Sequence, residues 1–445
     1  MPFPQSFLDE LMARSDIVDV VGSYVQLTRK GANLFGLCPF HSEKTGSFSV
    51  SPDKQIYYCF GCKRGGGVIN FIMEEENLSF PDAVRFLAKR AGMEVPEEDG
   101  DREAGRRRQR LLDLNRDAAR FYYQMLQQPE GRAVQEYLDR RKIRRATAVN
   151  FGLGASLDAW DALILAMTKK GYTKSELLEA GLAVQNRNGG LYDKFRNRLI
   201  FPVIDVRGDV VAFGGRGLDK SEPKYMNSQE TPVYSKRRVL YGLNLAKKSK
   251  RSNIILCEGN IDVVTLHQAG FDNAVASMGT ALTVEQTRLL SRFTKELVLC
   301  YDNDNAGKIA TERALEILNN SEFSVKVLQL PRRRTEDGKL VKQDADDFIK
   351  LQGKDAFEAL LTGSENGIEF RMAQAAGKYD LSSDEARVAY CEEVSALLAA
   401  LANPVEREIY TTRAAETAKI TPEAMRLEVQ RAFNRRLSRE KRQEL

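Results

Sequence analysis

The sequence lacks the features of a membrane protein or a secreted protein. No uncharged stretch runs much beyond about a dozen residues, whereas roughly 20 apolar residues are needed to span a bilayer. The first residues, Met1 to Gln5, do not combine a charged start with an apolar core, so no signal peptide is predicted. Three of the six cysteines cluster and the others are scattered, which is not a disulfide framework. We therefore expect a cytoplasmic protein that has no membrane segment.

The chain also lacks a strong net charge and a nucleotide-binding P-loop. Its 67 basic and 62 acidic residues leave a net charge of +5, so a local basic surface has to meet any anionic partner. No Gly-Lys-Ser/Thr motif is present, which argues against an ATP-driven helicase domain in the chain. A chain of 445 residues is too long for one ordinary core, and we expect several domains.

Histidine is scarce, and one of the two histidines lies close to a cysteine. Cys38 and His41 form a C-x2-H pair, and Cys59 and Cys62 form a C-x2-C pair after seventeen intervening residues. Thiolates and an imidazole at this spacing predict a tetrahedral Zn²⁺ site in which protein fills all four positions. Such a closed site is structural, and its binding energy stabilises a small module. The alternative is a set of unrelated cysteines beside a surface histidine.

Basic and aromatic side chains alternate in the segment after residue 190. Short strands with glycine turns are predicted here, and Lys194, Arg196 and Arg198 would project from one strand face. Basic side chains among aromatic ones suit contact with phosphates and stacking on bases. A solvated strand face is the alternative, because acidic residues also occur in this segment.

Two apolar runs end abruptly in carboxylates. Residues 254–257 precede Glu258, and residues 297–301 precede Asp302 and Asp304. Each run predicts a buried parallel strand followed by a helix, and parallel strands present their carboxyl ends at one edge of a sheet. Carboxylates that converge at this edge require cations, and oxygen ligands favour Mg²⁺ or Mn²⁺.

A third predicted strand, residues 325–330, precedes Asp344 and Asp346, which adds a second Asp-x-Asp to the same expected edge. Carboxylates that hold two metal ions support in-line displacement at phosphorus. Such a site can polymerise nucleotides or cut strands, and this chemistry alone does not choose between the two reactions.

A resemblance to a known family does choose between them. The segment Cys38–Thr45, together with Cys59–Cys62, closely resembles the zinc-binding domain of bacterial DnaG-type DNA primases. Four further segments resemble the basic primase subdomain of that family: Phe195–Pro202, Phe213–Arg216, Pro223–Ser228 and Leu240–Gly242. The acidic turns with their neighbours resemble its Toprim subdomain: Glu258-Gly259 with Asp262, and Asp302–Asp304 with Ala306-Gly307.

The resemblance implies a role for each group of residues. One structural Zn²⁺ would be bound by Cys38, His41, Cys59 and Cys62. The catalytic acids would be Glu258, Asp302 and Asp304, and two or more Mg²⁺ or Mn²⁺ ions would be held by them with Asp262, Asp344 and Asp346. Template and nucleotide contacts would come from Arg141, Arg196, Arg198, Arg216, Lys224 and Lys236.

The implied function is that of a DNA primase, which makes short RNA primers from NTPs on single-stranded DNA for replication. Its partners would be the DNA template and the primer–template hybrid, and we expect a monomer. The replicative helicase is an expected partner for the family, although a domain that binds it is not evident in this sequence. The alternatives are a Toprim-type nuclease or topoisomerase-like enzyme and a non-catalytic single-strand-binding protein. A topoisomerase would need a large separate domain carrying its nucleophilic tyrosine, for which the chain has no room.

The predicted fold class is a multidomain α+β and α/β protein. Its five segments are a zinc ribbon at 1–100, a charged linker at 101–115, a mixed α+β basic subdomain at 116–250, a Toprim parallel-sheet subdomain at 251–365 and a helical bundle at 366–445. The C-terminal helicase-binding domain of full-length family members is not evident in the sequence, so the chain is expected to lack it.

Overall fold

The computed structural model describes most of the chain, and it shows the predicted series of folds: an N-terminal ribbon, a mixed α+β part, a parallel sheet and a helical bundle. The described residues are 3–41, 43, 45–76, 78–95, 99–218, 223–279, 281–319, 321, 323–334, 339–401 and 403–444. The domain boundaries themselves stay predictions.

The N-terminal module is an antiparallel ribbon that is preceded by two helices and followed by two helices in the sequence. Its elements are α1 (Gln5–Arg14), α2 (Ile17–Gly22), β1 (Thr28–Lys30), β2 (Asn33–Gly36), β3 (Phe48–Ser51), β4 (Ile56–Cys59), β5 (Gly65–Gly66), α3 (Val68–Glu75) and α4 (Phe80–Arg90). The strands pair in sequence order. The rings of Phe40, Phe48, Tyr57 and Phe71 pack with centroids 5.3–6.2 Å apart, which gives this small module an aromatic core.

The basic subdomain packs a long helix against an antiparallel sheet of order β11-β10-β9-β6. Its elements are α5 (Asp99–Gln127), a 3₁₀ turn (Pro129–Gly131), α6 (Arg132–Arg140), α7 (Arg145–Asn150), β6 (Gly154–Ser156), α8 (Ala162–Lys169), α9 (Lys174–Glu179), β7 (Ala183–Gln185), β8 (Leu191–Asp193), β9 (Arg198–Ile204), β10 (Val210–Gly217), β11 (Tyr225–Asn227) and α10 (Leu243–Ala246).

The segment predicted as a charged linker, 101–115, is helical. It lies within α5, and Leu111 and Leu114 are completely buried in the core of the basic subdomain. Arginine, glutamate and alanine are good helix formers, so the helix that is anchored by these leucines continues through the charged residues before them. The charge density therefore marks an exposed helix surface here, not an irregular connection.

The prediction of one strand through Lys194, Arg196 and Arg198 is wrong. Strand β8 ends at Asp193, and β9 starts only at Arg198. Between them, Asn197 has a left-handed backbone with φ of 50°, which breaks the alternation of strand faces. Arg196 and Arg198 consequently point into different surroundings.

The parallel-sheet subdomain has strand order β13-β12-β14-β15-β18, in which only β18 is antiparallel. Its elements are β12 (Asn253–Cys257), α11 (Asn260–Ala269), β13 (Ala274–Ala276), α12 (Val284–Leu290), β14 (Glu296–Cys300), α13 (Asn305–Leu318), β15 (Ser324–Val327), β16 (Arg333–Arg334), β17 (Leu340–Val341), α14 (Ala345–Thr362) and β18 (Glu365–Asn366). Cys257 pairs with Cys300 in register, so Glu258 and Asp302 emerge at the same edge.

The basic and parallel-sheet subdomains share one apolar core. The backbones of Tyr241 and Ala276 exchange hydrogen bonds of 2.8 and 3.0 Å, which pairs the end of the basic subdomain with strand β13. Buried residues from both sides, such as Phe213 and Ile255, belong to a single contiguous cluster. The two subdomains are therefore packed as one body.

The helical subdomain contains α15 (Gly367–Lys378), α16 (Asp384–Leu398), α17 (Pro404–Ala418) and α18 (Pro422–Glu444). Tyr390, Val394 and Leu398 of α16 pack against Ala414 and Met425 in a separate apolar cluster. Of the helices in the described part of the chain, none combines the length and the apolar character needed to cross a membrane.

Candidate active site and zinc centre

The four predicted zinc ligands converge in the ribbon. The ligand atoms of Cys38, His41, Cys59 and Cys62 all lie within 4.8 Å of one another. The sulfurs of Cys38 and Cys62 are 3.9 Å apart, and Cys59 Sγ is 3.7 Å from His41 Nδ1. Zn–S bonds of about 2.3 Å in a tetrahedron separate sulfurs by about 3.8 Å, so the spacing fits Zn²⁺. Ser42 and Lys44 of the same motif lie outside the described residues.

Glu43 orders the loop that carries these ligands, although it is not itself one of the four predicted ligands. Its Oε1 accepts the backbone N–H groups of Cys38 and Ser47, each at 2.8 Å, and its Oε2 lies 3.3 Å from His41 Nε2. Although burial opposes it, these hydrogen bonds and that of the Ser47 hydroxyl hold the pKa of Glu43 below its usual value. A carboxylate on the far nitrogen of a metal-binding imidazole orients the ring.

Three predicted acids lie side by side at the carboxyl edge of the parallel sheet. Glu258 follows β12 directly, and its Oε1 accepts the backbone N–H of Asp302 at 3.1 Å. Asp304 caps helix α13, where its Oδ1 accepts the Gly307 N–H at 2.9 Å. A Cβ on Gly307 would lie 2.0 Å from the Asp302 carbonyl oxygen, so only glycine allows these turns to approach so closely.

A lysine bridges two of these acids. Lys342 Nζ lies 3.0 Å from Oδ2 of Asp302 and 3.0 Å from Oδ2 of Asp304. The Gly307 N–H and this ammonium lower the pKa of Asp304. The pKa of Glu258 is raised instead, by burial and then by the negative charge of Asp302. The unequal shifts show a site in which crowded carboxylates are only partly compensated by positive charge.

The second predicted Asp-x-Asp lies at the start of α14. Asp344 caps this helix through the Asp347 N–H at 2.7 Å, and oxygens of Asp344, Asp346 and Asp347 lie within 4.8 Å of one another. Asp262 is buried and accepts the Asp346 N–H at 3.2 Å. Burial raises the pKa of both Asp262 and Asp344. Within the described ranges, Glu258, Asp302 and Asp304 do not form an equally tight group.

Asp346 is already surrounded by donors. It is completely buried, and Arg141 donates to its Oδ2 at 2.6 Å while Thr265 donates to its Oδ1 at 2.6 Å. Lys350, one turn further along α14, also pairs with it. The structure thus joins Arg141, predicted to bind nucleic acid, to Asp346, predicted to bind metal.

The remaining predicted basic residues are spread over two kinds of surroundings. Arg198 and Arg216 are buried; Arg198 donates to the Pro223 carbonyl at 2.8 Å, and Arg216 contacts the Tyr225 hydroxyl. Burial lowers the pKa of Arg216. Lys224 is exposed, and Lys236 is half-buried. The buried arginines contact Pro223 and Tyr225, whereas the side chain of Lys224 between them is exposed to solvent.

The half-buried Arg196 stacks on aromatic residues to which no sequence motif points. Its guanidinium lies 3.6 Å from the ring of Trp160, which is 63% exposed, and the rings of Trp160 and Tyr192 are 5.6 Å apart. Trp160 is the single tryptophan of the chain. A large aromatic face beside a cation is suited to stacking on a nucleic-acid base.

Comparison with known proteins identifies the family. Four family models match in order: the CHC2 zinc finger at 3–103, the N-terminal domain of the DNA primase catalytic core at 121–247, a Toprim-like domain at 255–349 and the DnaB-helicase binding domain of primase at 368–423. The DNA primase of Clostridium acetobutylicum is 41% identical over 95% of this chain and 69% of its own length. The chain belongs to the DnaG-type DNA primase family. It is accordingly a nucleotidyltransferase, an RNA polymerase that primes DNA synthesis, and it carries a zinc finger.

Solved primase structures share this fold. The zinc-binding and RNA polymerase domains of the Aquifex aeolicus primase match with a TM-score of 0.58 and 31% identity, over 94% of this primase and 98% of that chain. A DnaG primase catalytic domain bound to single-stranded DNA matches with a TM-score of 0.61 and 32% identity, over 70% of this primase and 99% of that chain.

The expectation that the chain lacks a helicase-binding domain is wrong. The corresponding model matches residues 368–423, which comprise most of α15, all of α16 and α17, and the first residues of α18. Among its described residues, this helical bundle has no cluster of metal-ligating side chains. Its sequence therefore offers no chemical motif from which a protein partner could be recognised.

Proposed function

We propose that Glu258, Asp302 and Asp304 hold the catalytic Mg²⁺ or Mn²⁺ ions of this primase, and that Asp262, Asp344 and Asp346 support them. The observation that carries the proposal is the shared cation: the Lys342 ammonium lies between the carboxylates of Asp302 and Asp304. Two carboxylates that already face one positive charge, beside a third with a raised pKa, offer the oxygen donors that Mg²⁺ and Mn²⁺ prefer.

Bound divalent ions would neutralise the triphosphate and activate the 3′-hydroxyl of the primer for attack on the α-phosphate. The residues of the chain set the geometry of the acids. The N–H of Gly307 fixes Oδ1 of Asp304, which leaves Oδ2 directed at the shared cation. The Asp302 N–H fixes Oε1 of Glu258. Acids that are held in this way need little reorganisation when substrate arrives.

We further propose that the cluster of Trp160, Tyr192 and Arg196, together with the exposed Lys224, contacts the single-stranded DNA template. The stack of Arg196 on Trp160 combines a cation with an exposed aromatic face. Lys224 is exposed beside Tyr225, with its ammonium 5.9 Å from the ring centre. Aromatic faces bind bases and cations bind phosphates without strong sequence preference, as a primase needs when it follows a template. The buried Arg198 and Arg216 would support this surface from beneath.

The deciding experiment is incorporation of NTPs on single-stranded DNA with Mg²⁺ or Mn²⁺. Glu258→Gln and Asp304→Asn each keep the side-chain size and remove a charge, and we expect each to abolish primer synthesis. Glu316→Gln, at an exposed position on α13, is the matched control and should keep wild-type activity. Full activity in both acid variants would refute the metal-site assignment. Strand cleavage without incorporation by the wild type would favour the Toprim nuclease alternative.

The helical subdomain is proposed to bind the replicative helicase, because its sequence matches the helicase-binding model. Val405 and Ile409 lie one turn apart on α17 and are 66% and 49% exposed. We expect Val405→Asp with Ile409→Asp to weaken binding to a DnaB-type helicase, and Leu351→Asp, at an exposed position on α14, to leave it unchanged. Equal binding of the helicase by the wild type, the double variant and Leu351→Asp would reject this contact surface.

Two further expectations concern the state of the enzyme in the cell. We propose that the primase is a monomer, which light scattering during size-exclusion chromatography would test directly. We also place it in the cytoplasm, because the proposed zinc thiolates have to stay reduced and because its DNA template is found there.

A further inference from the structure

Lys342 differs from the other cations around the acidic edge. It directly follows strand β17, its side chain is 57% exposed, and its ammonium is shared equally between Asp302 and Asp304 at 3.0 Å. Arg141 and Lys350, in contrast, pair with the completely buried Asp346, which also accepts a hydrogen bond from Thr265. The Asp346 pairing is part of the packed interior, whereas the Lys342 pairing is open to solvent.

We propose that Lys342 is an exchangeable internal counterion that competes with divalent metal for Asp302 and Asp304. It neutralises these carboxylates in the metal-free enzyme and leaves them when metal binds. This inference rests on the proposed function, because it requires that the two acids bind metal. Lys342 is then a positioning residue that sets the metal affinity of the free enzyme.

The atoms in contact support competition over coexistence. The ammonium occupies Oδ2 of both acids, and Oδ1 of Asp304 is already taken by the Gly307 N–H. A divalent ion that used the same oxygens would lie within a few ångströms of the ammonium, where the two positive charges repel each other and compete for the same oxygen atoms. Lysine is a point charge on a flexible four-carbon stem, so an exposed lysine can move away at little cost.

The exchange has a measurable consequence. Metal has to displace the ammonium before it binds, so the free enzyme binds metal more weakly than its carboxylates alone would. Removing the ammonium removes this competition. Coupling between two binding events in a protein is typically about 5–150-fold in affinity, and we expect Lys342→Met to lower the Mn²⁺ dissociation constant by a factor within that range.

The test is titration of the full-length chain with Mn²⁺ alone, in which electron paramagnetic resonance measures the free ion. Lys342→Met should bind Mn²⁺ more tightly than the wild type, and Lys342→Arg, which keeps the charge, should bind it as weakly as the wild type. Lys308→Met removes the same charge one turn from Asp304 on α13, and it should change the affinity far less than Lys342→Met does. Thermal unfolding would verify that each variant is folded.

The outcomes separate this proposal from the proposed function. If Asp304→Asn weakens Mn²⁺ binding while Lys342→Met binds like the wild type or more weakly, Lys342 is not a competitor and the metal site stands. If Asp304→Asn binds Mn²⁺ like the wild type, the metal site is wrong and the Lys342 proposal is wrong with it. Equal tightening by Lys308→Met and Lys342→Met would overturn the exchange in favour of a general charge effect. As a second readout, primer synthesis by Lys342→Met should reach half its maximal rate at a lower Mg²⁺ concentration.

Discussion

Arg141 of the basic subdomain donates a hydrogen bond of 2.6 Å to Asp346 of the parallel-sheet subdomain, 205 residues later in the chain. Asp346 is completely buried, while 27% of the Arg141 side chain remains exposed. This ion pair connects the residue that directly follows α6 with the first turn of α14. Arg141 therefore stabilises the packing of the two subdomains, whatever else it contacts.

We expect Arg141→Met to destabilise the primase, because a buried carboxylate loses a charged donor. Lys350 and Thr265 still contact Asp346 in the variant. The free energy of unfolding should therefore fall by about 1.5–3 kcal/mol, the usual value of a hydrogen bond to a charged group. The measurement is the thermal unfolding midpoint of the full chain. Arg140→Met, at an exposed neighbouring position, should leave the midpoint unchanged, and an equal effect of the two variants would contradict the ion-pair account.

Glu43→Gln is expected to weaken zinc binding without removing a ligand. The amide cannot accept from Cys38, Ser47 and His41 as the carboxylate does, so the imidazole and the loop lose their orientation. Loss of such a supporting group costs about 10–100-fold in metal affinity. Competition with a chromophoric chelator measures this affinity. Cys59→Ser should lose the single zinc outright, Cys391→Ser in the helical subdomain should keep it, and wild-type zinc affinity in Glu43→Gln would refute the role of Glu43.

Template binding is expected to quench the fluorescence of Trp160, the single tryptophan. A base that stacks on this exposed ring contributes about 1–3 kcal/mol, so Trp160→Ala should weaken binding of single-stranded DNA by roughly 5–150-fold. Fluorescence titration of the wild type and anisotropy of a labelled oligonucleotide for the variant provide the two measurements. Phe293→Ala, at an exposed aromatic beyond α12, is the control. If the fluorescence of Trp160 is unchanged at a saturating concentration of single-stranded DNA, the template binds elsewhere.

Asp193 gives a prediction for the dependence of stability on pH. Burial raises the pKa of its carboxyl from 3.8 to about 6, although the N–H groups of Leu163 and Ile164 bond to it. Between these values the unfolded chain releases the proton and the folded chain keeps it, so stability falls as the pH rises from about 4 to about 6, by on the order of 2–3 kcal/mol.

The test of the Asp193 prediction compares unfolding midpoints of the wild type, Asp193→Asn and the exposed control Asp158→Asn from pH 4 to pH 7. The unfolding midpoint of the wild type minus that of Asp193→Asn should fall as the pH rises. The midpoint of the wild type minus that of Asp158→Asn should stay nearly constant. A constant difference between the wild type and Asp193→Asn would mean that the carboxyl titrates with the same pKa in both states.

The sequence predicts those parts of the site that depend on short spacings. The C-x2-H and C-x2-C pairs and the acids at the ends of β12 and β14 follow from local pattern, since register and turn geometry place them. Glu43 lies inside the zinc motif, and its position five residues after Cys38 was an available signal.

Other parts depend on contacts between residues far apart in sequence, which no local pattern encodes. Lys342 reaches Asp302 across 40 residues, and Arg141 reaches Asp346 across 205. The exposure of Trp160 depends on how α8 and β8 pack, and the burial of Arg198 and Arg216 depends on the whole antiparallel sheet. Charge alone predicted a free basic surface there, whereas packing divides the same residues between interior and solvent.

The exchange of backbone hydrogen bonds between Tyr241 and Ala276 also has a consequence for catalysis. Because this pairing and the common apolar cluster fuse the two subdomains, the catalytic core should melt as a single calorimetric unit. The distance between the proposed template surface and the acidic edge is then fixed. A primer terminus would be brought to the acids by sliding of the nucleic acid along a fixed frame, without a hinge between the two subdomains.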